Sequence, residues 1–491
     1  MAHLLLLAPS LLSPTPPRLS RPRARDPSSS LASIRAAPPS DPSLDLADAL
    51  SAAPAASRAL PLSAPPWRHA FRALLSHPSF LADAWARAPF KLDERWPFAV
   101  AAFTLDDVAE DVCRLPPAFV AHGVRHAGGV YNKPMPDGFG YADVRAAMEH
   151  ATVVLLNAGF LVPKLAAVSL AMLEAARLPV WLNVYLSRPG LPLSTQLHTD
   201  QQDVLLVQCT GRKRWRVYAP PPPAEAAHLD PFARGKGTDQ MARREEDLLL
   251  DTVTAPGEVL YIPAGFPHET DTLAAADDEQ PSVHLTVGVD THLWGLSYAK
   301  ARELALRRKG AAASLGCGAP VRALPAEAWA LLHAPLPLGL FAAAHLRPLA
   351  AATPPPLVPP PLAAATLRKA VAAELRERMR RAEPARWADD AQLDADADVD
   401  GAVEAVLAHH ARVLAEQARL YRAAAYGEAE ATARARREAI ASLMRGMDAL
   451  DESSAALEAW ADGEAEGAAR GKAGFGRAAA AGGKAAKKKK R

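Results

Sequence analysis

Through the middle of the chain, hydrophobic positions come in short runs cut by turns, and on either side they recur at helical spacing. Side chains alternate along a strand, so residues two apart share a face. In VWLNVYLS (180–187) this puts Asn183 and Tyr185 on one face and Val184 and Leu186 on the other. In SVHLTVGV (282–289), Val283, Leu285, Val287 and Val289 alternate with Ser282, His284, Thr286 and Gly288. Residues 195–218 contain an apolar strand, a turn at Thr210-Gly211 and a return strand. On the return, Lys213 shares a face with Trp215 and Val217, while Arg214, Arg216 and Tyr218 take the other. TVVLLN (152–157), LLLDTV (248–253) and EVLYIP (258–263) complete the expected strands. Short strands separated by turn signals predict a closed or sandwiched β architecture.

Helical spacing dominates the flanks. Trp67, Phe71 and Leu74-Leu75, then Phe80, Ala84-Trp85 and Ala88, predict a helical region over 46–145. Within it Thr104 stands as an N-cap before Leu105-Asp106-Asp107, with acids in the first turn. Residues 164–177 predict a helix that Pro179 ends. Residues 219–247 begin with a proline run and continue as charged, irregular sequence, which predicts a surface loop. The β domain is expected over 146–295, followed by a helical segment over 296–352 and a stiff Pro-rich linker over 353–361. Beyond it, Leu367, Val371, Leu375 and Met379, then Val406-Leu407, Val413-Leu414 and Leu420-Tyr421, predict amphipathic helices over 362–465. A Gly/Ala-rich tail, 466–491, ends in KKKKR.

Composition narrows the class. With 491 residues, 49% of them apolar, the chain can bury a sizeable core in two or three domains. A net charge of +2 does not suggest a polyanion binder as a whole and leaves the KKKKR tail as the candidate for nucleic-acid contact or a nuclear address. Cys113, Cys209 and Cys317 are too few and too scattered for a disulfide framework. Residues 1–45 are rich in Leu, Ser, Pro and Arg, and the first acidic residue is Asp26. That composition matches an organellar transit peptide, so a chloroplast address is expected, with the nucleus or nucleolus as the alternative through the tail. No stretch approaches the ~20 apolar residues of a membrane span.

The candidate chemistry converges on one constellation. His198 and Asp200 lie two residues apart at the mouth of a strand, and His268 follows just past the 258–263 strand. Two histidines and one carboxylate are the facial set typical of Fe(II), which leaves positions open for a co-substrate and oxygen. With 15 histidines in the chain, His-x-Asp alone is uninformative, and the full set carries the argument. His284 is the alternative third ligand, disfavoured because it sits in mid-strand. Asp203, Glu269 and Asp271 are expected in loops or supporting positions. Lys213, on an apolar strand face, needs an anionic partner, because an unpaired buried charge is costly. Together these define a site for a metal and a small carboxylate.

The combination of His198-Thr199-Asp200, VLLVQCTGRKRWRVY (204–218), APGEVLYIPAGFPHET (255–270) and SVHLTVGV (282–289) resembles the JmjC-type, cupin-like ribosomal oxygenases. These are Fe(II)- and 2-oxoglutarate-dependent protein hydroxylases. The resemblance extends upstream to FLADAWARAPFKLD (80–93) and LPVWLNVYLSRPG (178–190), and downstream to Trp294. It implies an α+β fold with a double-stranded β-helix (cupin/JmjC jelly roll) core between N- and C-terminal helical regions. It implies that His198, Asp200 and His268 bind iron and that Lys213 pairs with the distal carboxylate of 2-oxoglutarate. Asn183 and Tyr185 match polar residues lining the family's site. Gly288 stands where relatives often carry a serine. Relatives dimerise through helices that follow the core, so a homodimer through 296–352 is expected. Only helices are expected after 362, so the winged helix with which relatives often end is not supported. The implied activity uses O2 and 2-oxoglutarate to hydroxylate a side chain of a ribosomal or other protein. An N-methyl-lysine (histone) demethylase and a non-catalytic cupin binding module are the alternatives.

Overall fold

The structure is a computed structural model that describes residues 65–77, 80–112, 115–126, 129–222, 232–236, 239–291, 295–311, 326–336 and 364–426. The leader, Trp294, the Pro-rich linker and the basic tail lie outside the described residues. The described chain begins with α1 (Pro65–Ser76), β1 (Phe90–Lys91), α2 (Leu105–Asp111), β2 (Val120–His126) and β3 (Gly129–Pro134). It continues through α3 (Tyr141–Met148), β4 (Val153–Leu155), α4 (Pro163–Ala176), β5 (Val180–Ser187) and β6 (Thr195–His198). Then come β7 (Gln202–Thr210), β8 (Lys213–Tyr218), β9 (Leu248–Thr254), β10 (Val259–Ile262), β11 (His268–Asp271) and β12 (Ser282–Asp290). Helices α5 (Tyr298–Arg307), α6 (Ala326–Leu332), α7 (Ala364–Ala382), α8 (Asp390–Asp396) and α9 (Val399–Tyr426) follow.

Two antiparallel sheets form the centre. The larger has the order β1-β10-β7-β12-β5-β4-β2-β3, and the smaller β6-β11-β8-β9. The expected alternation decides what each face meets. Val283, Leu285, Val287 and Val289 of β12 join Val180, Leu182, Val184 and Leu186 of β5 in a core shared with the helices. Residues of opposite parity face the smaller sheet, where Val204, Leu206, Leu260 and Ile262 pack on Trp215 and Val217. Register across β12 and β5 sets His284 beside Tyr185, Thr286 beside Asn183 and Ser282 beside Ser187. The interior between the sheets is therefore polar at one end and apolar at the other. Helix α4 packs between α1 and α9 behind the larger sheet. Its start at Pro163 suits proline, which lacks the amide that a first turn leaves unpaired. Its end at Arg177 is left-handed, at φ 55°.

The N-terminal region departs from its expected helical character. α1 forms as the spacing predicts, and α2 is capped as expected, with Thr104 and Asp107 exchanging side-chain and backbone hydrogen bonds. Residues 120–134, however, form the β2–β3 hairpin, with Gly123 opposite Asn132 and Val124 opposite Tyr131. β3 is the edge of the larger sheet and β2 lies between it and β4, and glycine and histidine interrupt the apolar alternation that would have announced them. Helix α3 also lacks an apolar signal; the carboxylate of Asp143 caps it by accepting from Gly140 N at 2.8 Å. The C-terminal region is helical as expected as far as residue 426.

Candidate metal and co-substrate site

Two strand ends of the smaller sheet bring the triad together. His198 is the last residue of β6 and pairs with His268, the first of β11. His268 thus opens its own strand instead of trailing the preceding one: residues 263–267 turn the chain after β10, and pairing with both β6 and β8 restarts it. Asp200 lies in the turn between β6 and β7 and not within a strand. The two imidazole centroids are 4.3 Å apart. One donor atom from each of His198, Asp200 and His268 lies within 4.8 Å of the others, as the spacing required.

Hydrogen bonding fixes the tautomers. Nδ1 of His198 is 2.8 Å from the Gln196 carbonyl oxygen, and Nδ1 of His268 is 2.9 Å from that of Phe266. A carbonyl oxygen only accepts, so each Nδ1 carries the proton and each Nε2 keeps a free lone pair. Those Nε2 atoms point at Asp200, 3.7 Å from its Oδ1 and 3.6 Å from its Oδ2 respectively. Burial, with the neighbouring His268, pushes His198 down to about 3. Burial also lowers His268, so both rings are neutral ligands at physiological pH. Burial alone would raise the Asp200 carboxyl, but Lys236 and the two imidazoles outweigh it and hold the group below the usual carboxylate range. Two imidazole lone pairs and one carboxylate around a common point fit a divalent transition metal with open positions.

Lys213 occupies the interior as its strand parity predicts. It is 1% exposed, so it does not reach solvent. Its ammonium donates to Ser187 Oγ at 3.1 Å, and Ser187 in turn shares a 2.8 Å hydrogen bond with Thr152. The Tyr185 and Trp215 rings each lie 5.9 Å from Nζ. Glu258 pairs with Lys91 and Arg95. No carboxylate among the described residues forms an ion pair with Lys213. Burial accordingly pulls the ammonium down to about 7, against an upward pull from Asp271.

Tyr185 and Asn183 line the same interior from β5. Tyr185 stacks on His284 with centroids 4.9 Å apart and planes 8° from parallel. Burial, then the Asp200 charge, raises its phenol well above the ordinary range. Asn183 Oδ1 accepts from the Asn157 amide at 2.8 Å. His284 sits between Tyr185 and Trp215, on Lys213's side of the interior. It does not join the triad. Burial and the Lys213 charge hold it neutral. At Gly288 a Cβ would lie 2.6 Å from Gln202 Oε1, so the Gln202 amide, bonded to Asp290, fills the space a serine side chain would take.

The acidic neighbours are strand residues and not loop residues. Asp203 on β7 accepts from Tyr261 Oη at 2.6 Å, and burial raises it to about 6. Glu269 on β11 binds Arg216, Arg243 and Tyr218, and Asp271 binds Arg216. The 219–247 insert is not merely a surface loop: Arg234 and Gly235 are buried, and Lys236 Nζ lies 3.0 Å from Asp200 Oδ1. Sequence reasoning missed Lys236, Ser187 and Thr152. The only signal for the first was the glycine pair around it, which marks close backbone approach.

Residues 162–295 match the JmjC domain family. The chain is 32% identical over 138 residues to a Drosophila mojavensis protein named bifunctional lysine-specific demethylase and histidyl-hydroxylase NO66, covering 28% of this chain and 14% of that protein. It is 36% identical over 117 residues to ribosomal oxygenase 1 of Rattus norvegicus, covering 23% of this chain and 17% of the relative. The match thus spans less than a fifth of the length of either relative. Among solved structures, the chain is similar to YcfD, a ribosomal oxygenase from Escherichia coli in complex with cobalt and 2-oxoglutarate. There the identity is 21% and the TM-score 0.33, over 50% of this chain and 60% of that one.

Proposed function

We propose that this protein is an Fe(II)- and 2-oxoglutarate-dependent oxygenase that hydroxylates a side chain of a protein, with a ribosomal protein as the first candidate. The observation that carries the reading is the pairing of two features between the two sheets. A neutral-His, neutral-His, carboxylate triad converges at one point, and a buried lysine without a carboxylate waits on the adjoining strand. The strand order and the two facing sheets agree with a double-stranded β-helix. The JmjC match and the names of the relatives support the activity; they attribute both lysine demethylation and histidyl hydroxylation to one of those proteins.

His198, Asp200 and His268 would hold the iron, with Nε2 of each imidazole already aimed and its tautomer fixed from behind. Bound iron supplies oxygen activation coupled to oxidative decarboxylation of 2-oxoglutarate to succinate and carbon dioxide, with one oxygen atom delivered to a substrate C–H bond. Lys213 and the Ser187 hydroxyl would take the distal carboxylate of the co-substrate. Tyr185 and His284 form one aromatic wall, and Trp215, edge-on to His284, forms the other. These rings keep water from the charged pair, which strengthens it. Asn183, fixed by the Asn157 amide, presents a polar edge beside Tyr185.

The test is turnover of 2-oxoglutarate to succinate by full-length protein with Fe(II), together with mass spectrometry of candidate substrates for gain of one oxygen. Release of formaldehyde from N-methyl-lysine peptides, without oxygen gain on ribosomal proteins, would select the demethylase. Absence of succinate under every condition would select a binding module.

A further inference from the structure

Lys236 belongs to no strand, yet its neighbours are locked onto the metal-ligand strand. Arg234 N donates to Thr199 Oγ1 at 2.7 Å, and Thr199 N donates to Arg234 O at 3.0 Å. Gln196 Nε2 donates to Gly235 O at 2.7 Å, and Gly235 N donates to Asp239 Oδ2 at 2.8 Å. Gly235 has φ +72°, and a Cβ there would lie 2.3 Å from Leu197 O and 2.7 Å from His198 Cα. The segment is thus placed by residues 196–199 themselves, and it delivers an ammonium to one oxygen of a ligand. Each Asp200 oxygen faces one imidazole, Oδ1 at 3.7 Å from His198 Nε2 and Oδ2 at 3.6 Å from His268 Nε2, and only Oδ1 is also engaged by Lys236 Nζ, at 3.0 Å.

A carboxylate can hold a metal through one oxygen or through both. Held through both, it occupies a position that the two-histidine, one-carboxylate arrangement otherwise leaves open. An ammonium on Oδ1 engages that oxygen in a charge-assisted hydrogen bond. It also sets a like charge beside the incoming cation. We propose that Lys236 is a positioning residue for Asp200: it reserves Oδ1, leaves Oδ2 as the metal donor, and keeps coordination positions open for 2-oxoglutarate at some expense of metal affinity. The inference rests on reading the triad as the metal site. It makes the 219–247 insert a working part of that site.

Two titrations of full-length protein test it: Mn(II) alone, then 2-oxoglutarate at saturating Mn(II), for wild type, Lys236→Met and Lys236→Arg. Lys236→Met should bind Mn(II) about tenfold more tightly, since one like charge leaves the site. The same variant should bind 2-oxoglutarate about tenfold more weakly, and Lys236→Arg should restore both constants, because a guanidinium can also hold Oδ1. A merely structural lysine would weaken both constants on replacement. That outcome, or two unchanged constants, overturns the proposal. Wild type that binds no Mn(II) would overturn the triad reading as well, whereas wild-type binding without the opposed shifts overturns only the role of Lys236. Should Lys236→Met fail to fold, Lys236→Gln, polar and uncharged at this partly exposed position, carries the same comparison.

Discussion

Replacing Lys213 by methionine perturbs one charge and almost no volume. The side chain is 1% exposed and its ammonium has one hydroxyl for company. Truncating one partner of a buried, hydrogen-bonded charge pair costs about 2–5 kcal/mol, so affinity for 2-oxoglutarate should fall roughly thirtyfold to a few thousandfold. Iron-site geometry does not involve Lys213, so Mn(II) affinity should stay within error. Isothermal titration of Mn(II) into the protein, then of 2-oxoglutarate into the Mn(II)-loaded protein, reads the two constants in turn. The pH dependence adds a second, independent check. With the free ammonium pulled down to about 7, the protein above that pH must take up a proton to hold the carboxylate. Apparent affinity should therefore fall by up to tenfold per pH unit above about 7 in wild type, and this dependence should vanish in Lys213→Met. Stability should move the opposite way. The folded value lies below the 10.5 of a free lysine, so the unfolded chain binds more protons between about 7 and 10.5. Stability of the co-substrate-free protein accordingly rises with pH across that window. Lys213→Met removes this burden, and its thermal midpoint without 2-oxoglutarate should exceed that of wild type, by an amount worth about 1–4 kcal/mol at best. Unchanged 2-oxoglutarate affinity would refute the assignment of Lys213 and leave the protein better described as a binding module.

Further outcomes are expected. His198→Ala and Asp200→Ala should each abolish Mn(II) binding, whereas His284→Ala should retain it and weaken 2-oxoglutarate binding through lost contact with Tyr185; the reverse pattern would make His284 the third ligand. Gly235→Ala should cost about 2–4 kcal/mol, from backbone overlap and a strained φ, and should lower Mn(II) affinity in parallel, read by thermal shift and titration. A fusion of residues 1–60 to a fluorescent protein should enter chloroplasts; full-length protein confined to the nucleus would make the KKKKR tail the address. Light scattering at micromolar concentration should give a dimer, and a monomer would reject the helices after residue 296 as a dimerisation element.

Much of the site was legible because it depends on parity. The faces of β5, β8 and β12 follow from alternation alone, so Asn183, Tyr185 and His284 had to meet once β5 and β12 paired, and Lys213 meets them from the opposite sheet. His198, Asp200 and His268 were legible as types at a spacing, although His268 proved to begin a strand and Asp200 to sit in a turn. Two kinds of feature were not legible. The β2–β3 hairpin lacks apolar alternation because its strands carry glycine and histidine among their apolar positions. Lys236 meets Asp200 across 36 residues of irregular sequence, with no periodicity to place it. The Thr152–Ser187 hydroxyl pair was hidden as well, since a polar contact between the residue before β4 and the last residue of β5 leaves no pattern along either segment.

The way α9 finishes β5 has a consequence in time. The amide of Val180 donates to Gln417 Oε1, its carbonyl accepts from Tyr421 Oη, and His410 Nε2 meets the carbonyl of Arg177. Phe160 stacks on Tyr421 at 4.5 Å. The strand that carries Asn183 and Tyr185 therefore begins on groups that leave the ribosome 237 residues later. At 5–20 residues per second that interval is roughly 10–50 s, during which the nascent sheet shows its helix-facing side to water. Residues 162–295 carry the candidate triad, yet the start of β5 is completed only by α9. Synthesis must run almost through α9 before the strand beside the candidate triad has a complete set of partners.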